Sequence, residues 1–177
     1  MTIVGAIIAG GQSRRFGSDK ATALLDGKAL IDHVIDALSL QVDMIVIVGR
    51  AWGRYATVDD YPFSCGPLSG LCAALRFAQQ HGHDHVLSVG CDVLPIPLDL
   101  LDVLEGYAPA VIIDQRLLGL WPSVLAGALE QHIITQPNHA LCHWIEVSGA
   151  REMASPIPLH NLNTPEDLEE YSHYSAR

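Results

Sequence analysis

Positive charge is scarce in this chain. Lysine and arginine number 10 against 20 aspartates and glutamates, leaving a formal net charge of −10 over 177 residues. That balance argues against nucleic acid or an anionic membrane as a partner, since both are held by a basic face. Charged residues of all kinds make up only 17% and hydrophobic ones 49%. Such a chain is too apolar to stay disordered and long enough for one domain with a sizeable core. No apolar run approaches the ~20 residues of a membrane span. No basic segment followed by a cleavable apolar stretch opens the sequence, so a cytoplasmic protein is expected. Cysteine is sparse too: Cys65, Cys72, Cys91 and Cys142 form no C-x-x-C pair and no zinc spacing, and free thiols are expected. The histidines of the run His81-Gly82-His83-Asp84-His85 fall between a helix and a strand, where polar turn residues belong, and point to no structural metal.

What is present is a regular alternation of apolar strands and amphipathic helices. Residues 3–8 and 44–48 read as buried strands, with a short strand ending at Val58. Asp26-Gly27 between apolar pairs marks a tight turn, and Leu30, Val34 and Leu38 carry helical spacing to about Leu40. Pro67 opens a helix to about Gln80. A strand over 85–89 ends at Gly90-Cys91-Asp92. Helices follow over 98–104, 124–134 and 140–147, with a strand over 110–113 between the first two. Asn163-Thr164-Pro165-Glu166-Asp167 opens a last helix, capped by Thr164 and acidic in its first turn. Neither repeats nor low-complexity segments interrupt the pattern. It predicts an α/β fold, a Rossmann-like three-layer α/β/α arrangement on a mostly parallel sheet. Ligands of such sheets lie beyond the carboxyl ends of the strands. Three candidate positions lie there: the loop after the first strand, Gly49-Arg50, and Asp92.

The loop is the most informative. Ala9 to Lys20 reads AGGQSRRFGSDK, with close-approaching backbone at Gly10, Gly11 and Gly17 and cations at Arg14, Arg15 and Lys20. Unobstructed amides with fixed positive charge suit a polyphosphate. Five residues separate Gly11 from Gly17 and Ser18-Asp19 precede the lysine, so it is not a Walker loop, and no G-x-G-x-x-G occurs here. At the end of its strand, Asp92 either anchors the Mg2+ that accompanies a nucleoside triphosphate or caps the next turn; the basic loop favours the metal. Gly66-Pro67-Leu68-Ser69-Gly70 is a glycine–proline turn that aims helix amides outward.

The loop resembles the nucleotidyltransferase signature [AL]-x-G-G-x-S-x-R-[MF]-G-x-D-K, and within that superfamily the chain looks most like the molybdenum cofactor guanylyltransferases. The resemblance spans nearly the whole chain, with Cys91-Asp92-x-x-Pro95, the Gly66–Gly70 motif and Asn161-x-Asn163-Thr164-Pro165-Glu166 in order. Ala9-Gly10-Gly11 and the two asparagines favour the guanylyl over the cytidylyl branch. It implies a nucleotidyltransferase fold of one domain over 1–177, with a nucleotide-binding half at 1–105 and an acceptor-binding half at 106–177. The implied reaction joins GMP from GTP to molybdopterin, or molybdenum cofactor, with Mg2+ and release of pyrophosphate. It further implies molybdenum-insertion and delivery proteins as partners. By residue, the resemblance implies that Arg15, Lys20, Asp92 and Asn163 are catalytic, Asp92 holding the metal. Ala9, Gly10, Gly11, Ser13, Lys20, Gly66, Pro67 and Asp92 would bind nucleotide, together with Asp59 or Asp60, between which spacing does not choose. Asn161 and Asn163 would face the acceptor.

Two departures stand out. Where the family often has asparagine after the second strand, this chain has Gly49 with Arg50 beside it. Where relatives tend to place arginines, residues 138–144 read NHALCHW, and the next arginine is Arg151. A cytidylyl- or sugar-phosphate nucleotidyltransferase, and a nucleotide-binding relative without turnover, are the alternative readings.

Overall fold

The computed structural model describes residues 1–10 and 19–175. Its strands are β1 (Ile3–Ile8), β2 (Leu24–Leu25), β3 (Lys28–Ala29), β4 (Met44–Val48), β5 (Ala56–Val58), β6 (His85–Gly90), β7 (Val93–Leu94), β8 (Ala110–Ile112), β9 (Gln115–Pro122), β10 (Arg151–Met153) and β11 (His160–Asn161). The helices are α1 (Leu30–Ser39), α2 (Pro67–Gln80), α3 (Leu100–Glu105), α4 (Ala126–Thr135), α5 (Leu141–Ser148) and α6 (Pro165–Ser175), with 3-10 turns at Lys20–Thr22 and Ser123–Leu125.

Seven strands form one sheet in the order β10-β8-β9-β6-β1-β4-β5. β1 lies at its heart, paired in parallel with β4 and β6, and four of its six residues are Ile or Val, buried with the rest of the strand up to its last residue. Side chains alternate between two cores. Ile3 and Ile7 join α1, α3 and Leu162 on one face, while Val4 and Ala6 join α2, α4 and α5 on the other. The two clusters are the two helix-covered faces of a three-layer fold.

The sheet is mostly parallel, as expected, and β9 is its antiparallel member, running against both β6 and β8. Its Gly119 and Pro122 look like breaks. In place, however, Pro122 closes the strand opposite His85, and a side chain at Gly119 would press on Trp121 and Val111. β10 and the short β7–β11 ribbon carry no periodic signal and were not expected. The helix expected from residue 98 begins at Leu100, after a turn in which the Leu100 N–H donates to Pro97 C=O. That expected from 124 is a 3-10 turn before α4. Asp26 and Gly27 form the expected tight turn, both with positive φ, between β2 and β3.

Candidate active site

β1, β4 and β6 are parallel, so their carboxyl ends share one rim. The segments that leave them carry the chemistry. From β1 the chain passes to Ala9, buried, whose N–H donates to Val48 C=O at 3.0 Å, and to the exposed Gly10. The Ala9 amide is therefore committed to the bond with β4. From β4 the chain enters Gly49 at φ +82°, directly against Gly10. A Cβ on Gly10 would stand 3.1 Å from the Gly49 Cα, and one on Gly49 would collide with the Gly10 Cα. The two glycines thus form a side-chain-free patch at the rim. The acidic residue facing it is Asp60, whose Oδ1 would lie 3.8 Å from a Cβ on Gly10 and whose Oδ2 accepts from the Ser64 hydroxyl at 2.8 Å. Asp59 is exposed.

The loop after Asp60 is stitched to α2 by Ser69, a fully buried residue. Its Oγ donates to Phe63 C=O at 2.6 Å and accepts from the Cys65 N–H at 2.9 Å. Gly66 and Pro67 are both exposed at the start of α2, and Gly70 lies against Ile8 and Val48, which seats α2 over the ends of β1 and β4.

Lys20, Asp92 and Asn163 meet although 72 and 143 residues separate the lysine from its partners. The Lys20 ammonium donates to Asp92 Oδ2 at 3.0 Å and to Asn163 Oδ1 at 2.8 Å. The lysine side chain is 10% exposed and the aspartate 34%, so the pair is shielded on one side and open on the other. Each partner is placed by a different element. Asp92 follows β6, and its carboxylate folds back into space that a side chain at Gly90 would fill, 2.6 Å from Asp92 Oδ1. Asn163 arrives through the antiparallel pairing of Asn161 with Val93 and a bond from the Leu162 N–H to Asp92 C=O at 2.8 Å. It is then fixed by Asp167, whose Oδ2 accepts the N–H groups of Asn163 and Thr164 at 2.8 and 2.9 Å. The Thr164 hydroxyl in turn accepts the Asp167 N–H at 3.1 Å, a reciprocal cap for α6. The bonds from the Asn163 and Thr164 amides hold the Asp167 carboxyl below the usual carboxylate range. Asn161 is exposed on β11, outside the bonds that join Lys20, Asp92 and Asn163.

Gly11, Ser13 and Arg15, with Arg14 and Gly17, lie outside the described residues. Sequence reasoning did not single out Asp19, whose carboxylate is clamped by Arg50, nor Asp167. The Asp19–Arg50 pair joins residues 31 apart and leaves no local signature, whereas the Thr164-x-x-Asp167 spacing is the pattern of a capping box and could have pointed to Asp167. Among the described residues no group of three or more His, Cys, Asp and Glu could hold a metal. A lone strand-end carboxylate with an amide oxygen beside it suits Mg2+, which takes one or two protein oxygens and draws the rest from phosphates and water. Burial, and then the charge of the adjacent Asp92, push the Cys91 thiol up to about 11.

Fold and site together define a nucleotidyltransferase. The MobA-like NTP transferase domain matches residues 5–145. A molybdenum cofactor guanylyltransferase from Rhizobium leguminosarum bv. trifolii is 32% identical, the match covering 95% of this chain and 90% of that protein. One from Neisseria meningitidis serogroup C is also 32% identical, over 93% and 96%. Among solved structures, molybdopterin-guanine dinucleotide biosynthesis protein A from Archaeoglobus fulgidus shares the fold, with a TM-score of 0.77 over 98% of each chain at 21% identity. A nucleotidyl transferase from Methanothermobacter thermautotroptrophicus shares it at 0.72 over 99% and 98%, with 17% identity. The chain belongs to the molybdenum cofactor guanylyltransferase family.

Proposed function

We propose that the protein transfers GMP from GTP to molybdopterin, giving the guanine dinucleotide cofactor and pyrophosphate. The convergence of Lys20, Asp92 and Asn163 beside the facing glycines carries this reading. An oxygen of the acceptor's terminal phosphate attacks the α-phosphorus of GTP in line. The bond from that phosphorus to the oxygen bridging to the β-phosphate breaks, and pyrophosphate departs with the electron pair. No side-chain nucleophile is needed, and catalysis is positioning with neutralisation of charge.

In this reading Lys20, with Arg15, carries the triphosphate's negative charge as pyrophosphate leaves. The backbone at Ala9, Gly10 and Gly11 approaches the nucleotide with Ser13, and the exposed start of α2 at Gly66 and Pro67 borders it. Asp60 rather than Asp59 is assigned to the nucleoside, because its carboxylate is the one beside Gly10. Asp92, with Asn163, would hold Mg2+, which supplies charge neutralisation when bound. Asn161 and Asn163 face the acceptor, so residues 1–105 serve mainly the nucleotide and 106–177 mainly the acceptor. Molybdenum-insertion and delivery proteins, and a cytoplasmic location, belong to the same reading. Among the described residues no helix is long and apolar enough to cross a membrane.

The test is product formation from GTP, Mg2+ and molybdopterin, followed by mass. Asp92→Ala and Lys20→Ala should each lower turnover by about a hundredfold or more, and Asp92→Ala should keep measurable GTP binding. Near-normal turnover in Asp92→Ala would overturn its assignment.

A further inference from the structure

Arg50 stands one residue beyond Gly49, at the carboxyl end of β4. Its Nη1 donates to Asp19 Oδ1 at 2.6 Å, and its Nη2 donates to Asp19 Oδ2, so the guanidinium grips both carboxylate oxygens. Asp19 is the residue before Lys20 and the start of the 3-10 turn that carries it. Its Oδ1 also accepts the Ala21 N–H at 3.3 Å, and its C=O accepts from the Thr22 hydroxyl at 2.8 Å and the Thr22 N–H at 3.1 Å. Behind Arg50, its guanidinium carbon lies 5.7 Å from the centre of the Trp52 ring. The Trp52 indole N–H donates to Asp32 Oδ1, in α1, at 2.7 Å. A continuous series of contacts therefore runs from α1 through Trp52, Arg50 and Asp19 to the turn that aims the Lys20 ammonium at Asp92 and Asn163.

The pair is open on the Asp19 side and mostly covered on the Arg50 side, so solvent screening discounts its contribution to stability. The Asp19 side chain is 45% exposed and the Arg50 side chain 23%. What a two-point guanidinium–carboxylate grip supplies is direction. It also neutralises a carboxylate that would otherwise stand bare beside Lys20, the residue assigned to the triphosphate in the proposed function.

We propose that Arg50 is a positioning residue for nucleotidyl transfer, holding Asp19 and thereby the turn that places Lys20. The proposal takes its reaction from the guanylyltransferase reading, but the geometry it asserts can be tested without turnover. The chain has only two lysines, Lys20 and Lys28, so the nucleotide-free protein labelled on its lysine nitrogens should give at most two ammonium signals by NMR. Lys28→Arg leaves the signal of Lys20 alone. In that background the Lys20 signal should be observable and slow to exchange. It should broaden or vanish in Arg50→Ala and in part return in Arg50→Lys, while the melting temperature changes little. Should Arg50→Ala fail to fold, Arg50→Gln serves the same comparison.

In turnover with GTP and molybdopterin, Arg50→Ala should lower kcat by about ten- to a hundredfold, the scale of a misplaced catalytic group, with the KM for GTP little changed. Adding Asp19→Asn to Arg50→Ala should recover part of that loss, since the bare carboxylate is removed. An unaltered Lys20 signal in Arg50→Ala would overturn the proposal. So would a raised KM with unchanged kcat and no recovery by Asp19→Asn, which would make Arg50 a direct phosphate contact. Absence of product from the unsubstituted protein would instead refute the guanylyl reading and leave the NMR comparison standing.

Discussion

Gly49 shows how a single residue shapes the rim. Its φ of +82° lies in the left-handed region, and its Cα faces that of Gly10 too closely for either to carry a side chain without movement. An asparagine, frequent here in relatives, could not be accommodated with Gly10 where it stands. Gly49→Asn should therefore cost roughly 1–3 kcal/mol of stability from backbone strain alone, read by urea unfolding. It should also weaken GTP binding by pushing the Gly10 backbone away from the ligand. A variant as stable and as tight for GTP as the original would show that the close approach is dispensable. The sequence displayed Gly10 as part of a motif and Gly49 as a departure from the family. That the two explain each other was not legible, because β4 and β1 bring them together across 39 positions.

At the scale of elements, the parts that read clearly were those with long apolar periodicity. β1, β4 and β6 were each legible from runs rich in Val, Ile and Leu, and α1 and α2 from helical spacing, because their burial is decided locally. β7, β10 and β11 are two or three residues long and exist through pairing, so nothing in their own sequence announces them. The β7–β11 ribbon matters most, since it carries Asn163 to Asp92. The cap that follows it was legible in part: Thr164 was expected, but the return bond from Asp167 was not. Thr164→Ala should destabilise α6 by about 1 kcal/mol and should lower turnover by loosening Asn163.

Asp167 adds a pH dependence. Its folded carboxyl titrates below the ordinary value because the amides of Asn163 and Thr164 donate to it. The stabilisation is therefore complete above the unfolded carboxylate range and is lost as pH falls through the depressed folded value. Asp167→Asn should lack that part of the acid loss, seen as a flatter acid limb in unfolding curves taken over a pH series. An unchanged acid limb would contradict it.

For the whole molecule, the strand order and the two cores put the ends of β1, β4 and β6 on one rim, where Gly10, Gly49 and Asp92 stand. The three-layer α/β class was legible in the alternation of elements. The antiparallel β9 was not, because both its faces are buried and its glycine and proline imitate a turn. The overall charge is −10, and among the described residues the cations at the site are closely partnered: Lys20 by Asp92 and Asn163, Arg50 by Asp19. In the half assigned to the acceptor, Arg116 pairs with Glu152 and Arg151 lies over the Tyr107 ring. In the proposed reading, selectivity for the nucleotide is assigned to the rim around Gly10, Gly49 and Asp60. The most direct measurement is pyrophosphate release with Mg2+ and molybdopterin, comparing GTP with CTP, ATP and UTP. Release with GTP alone is the expected result. Release with CTP instead, or with no nucleotide despite measurable GTP binding, would contradict the guanylyl transfer proposed for this chain.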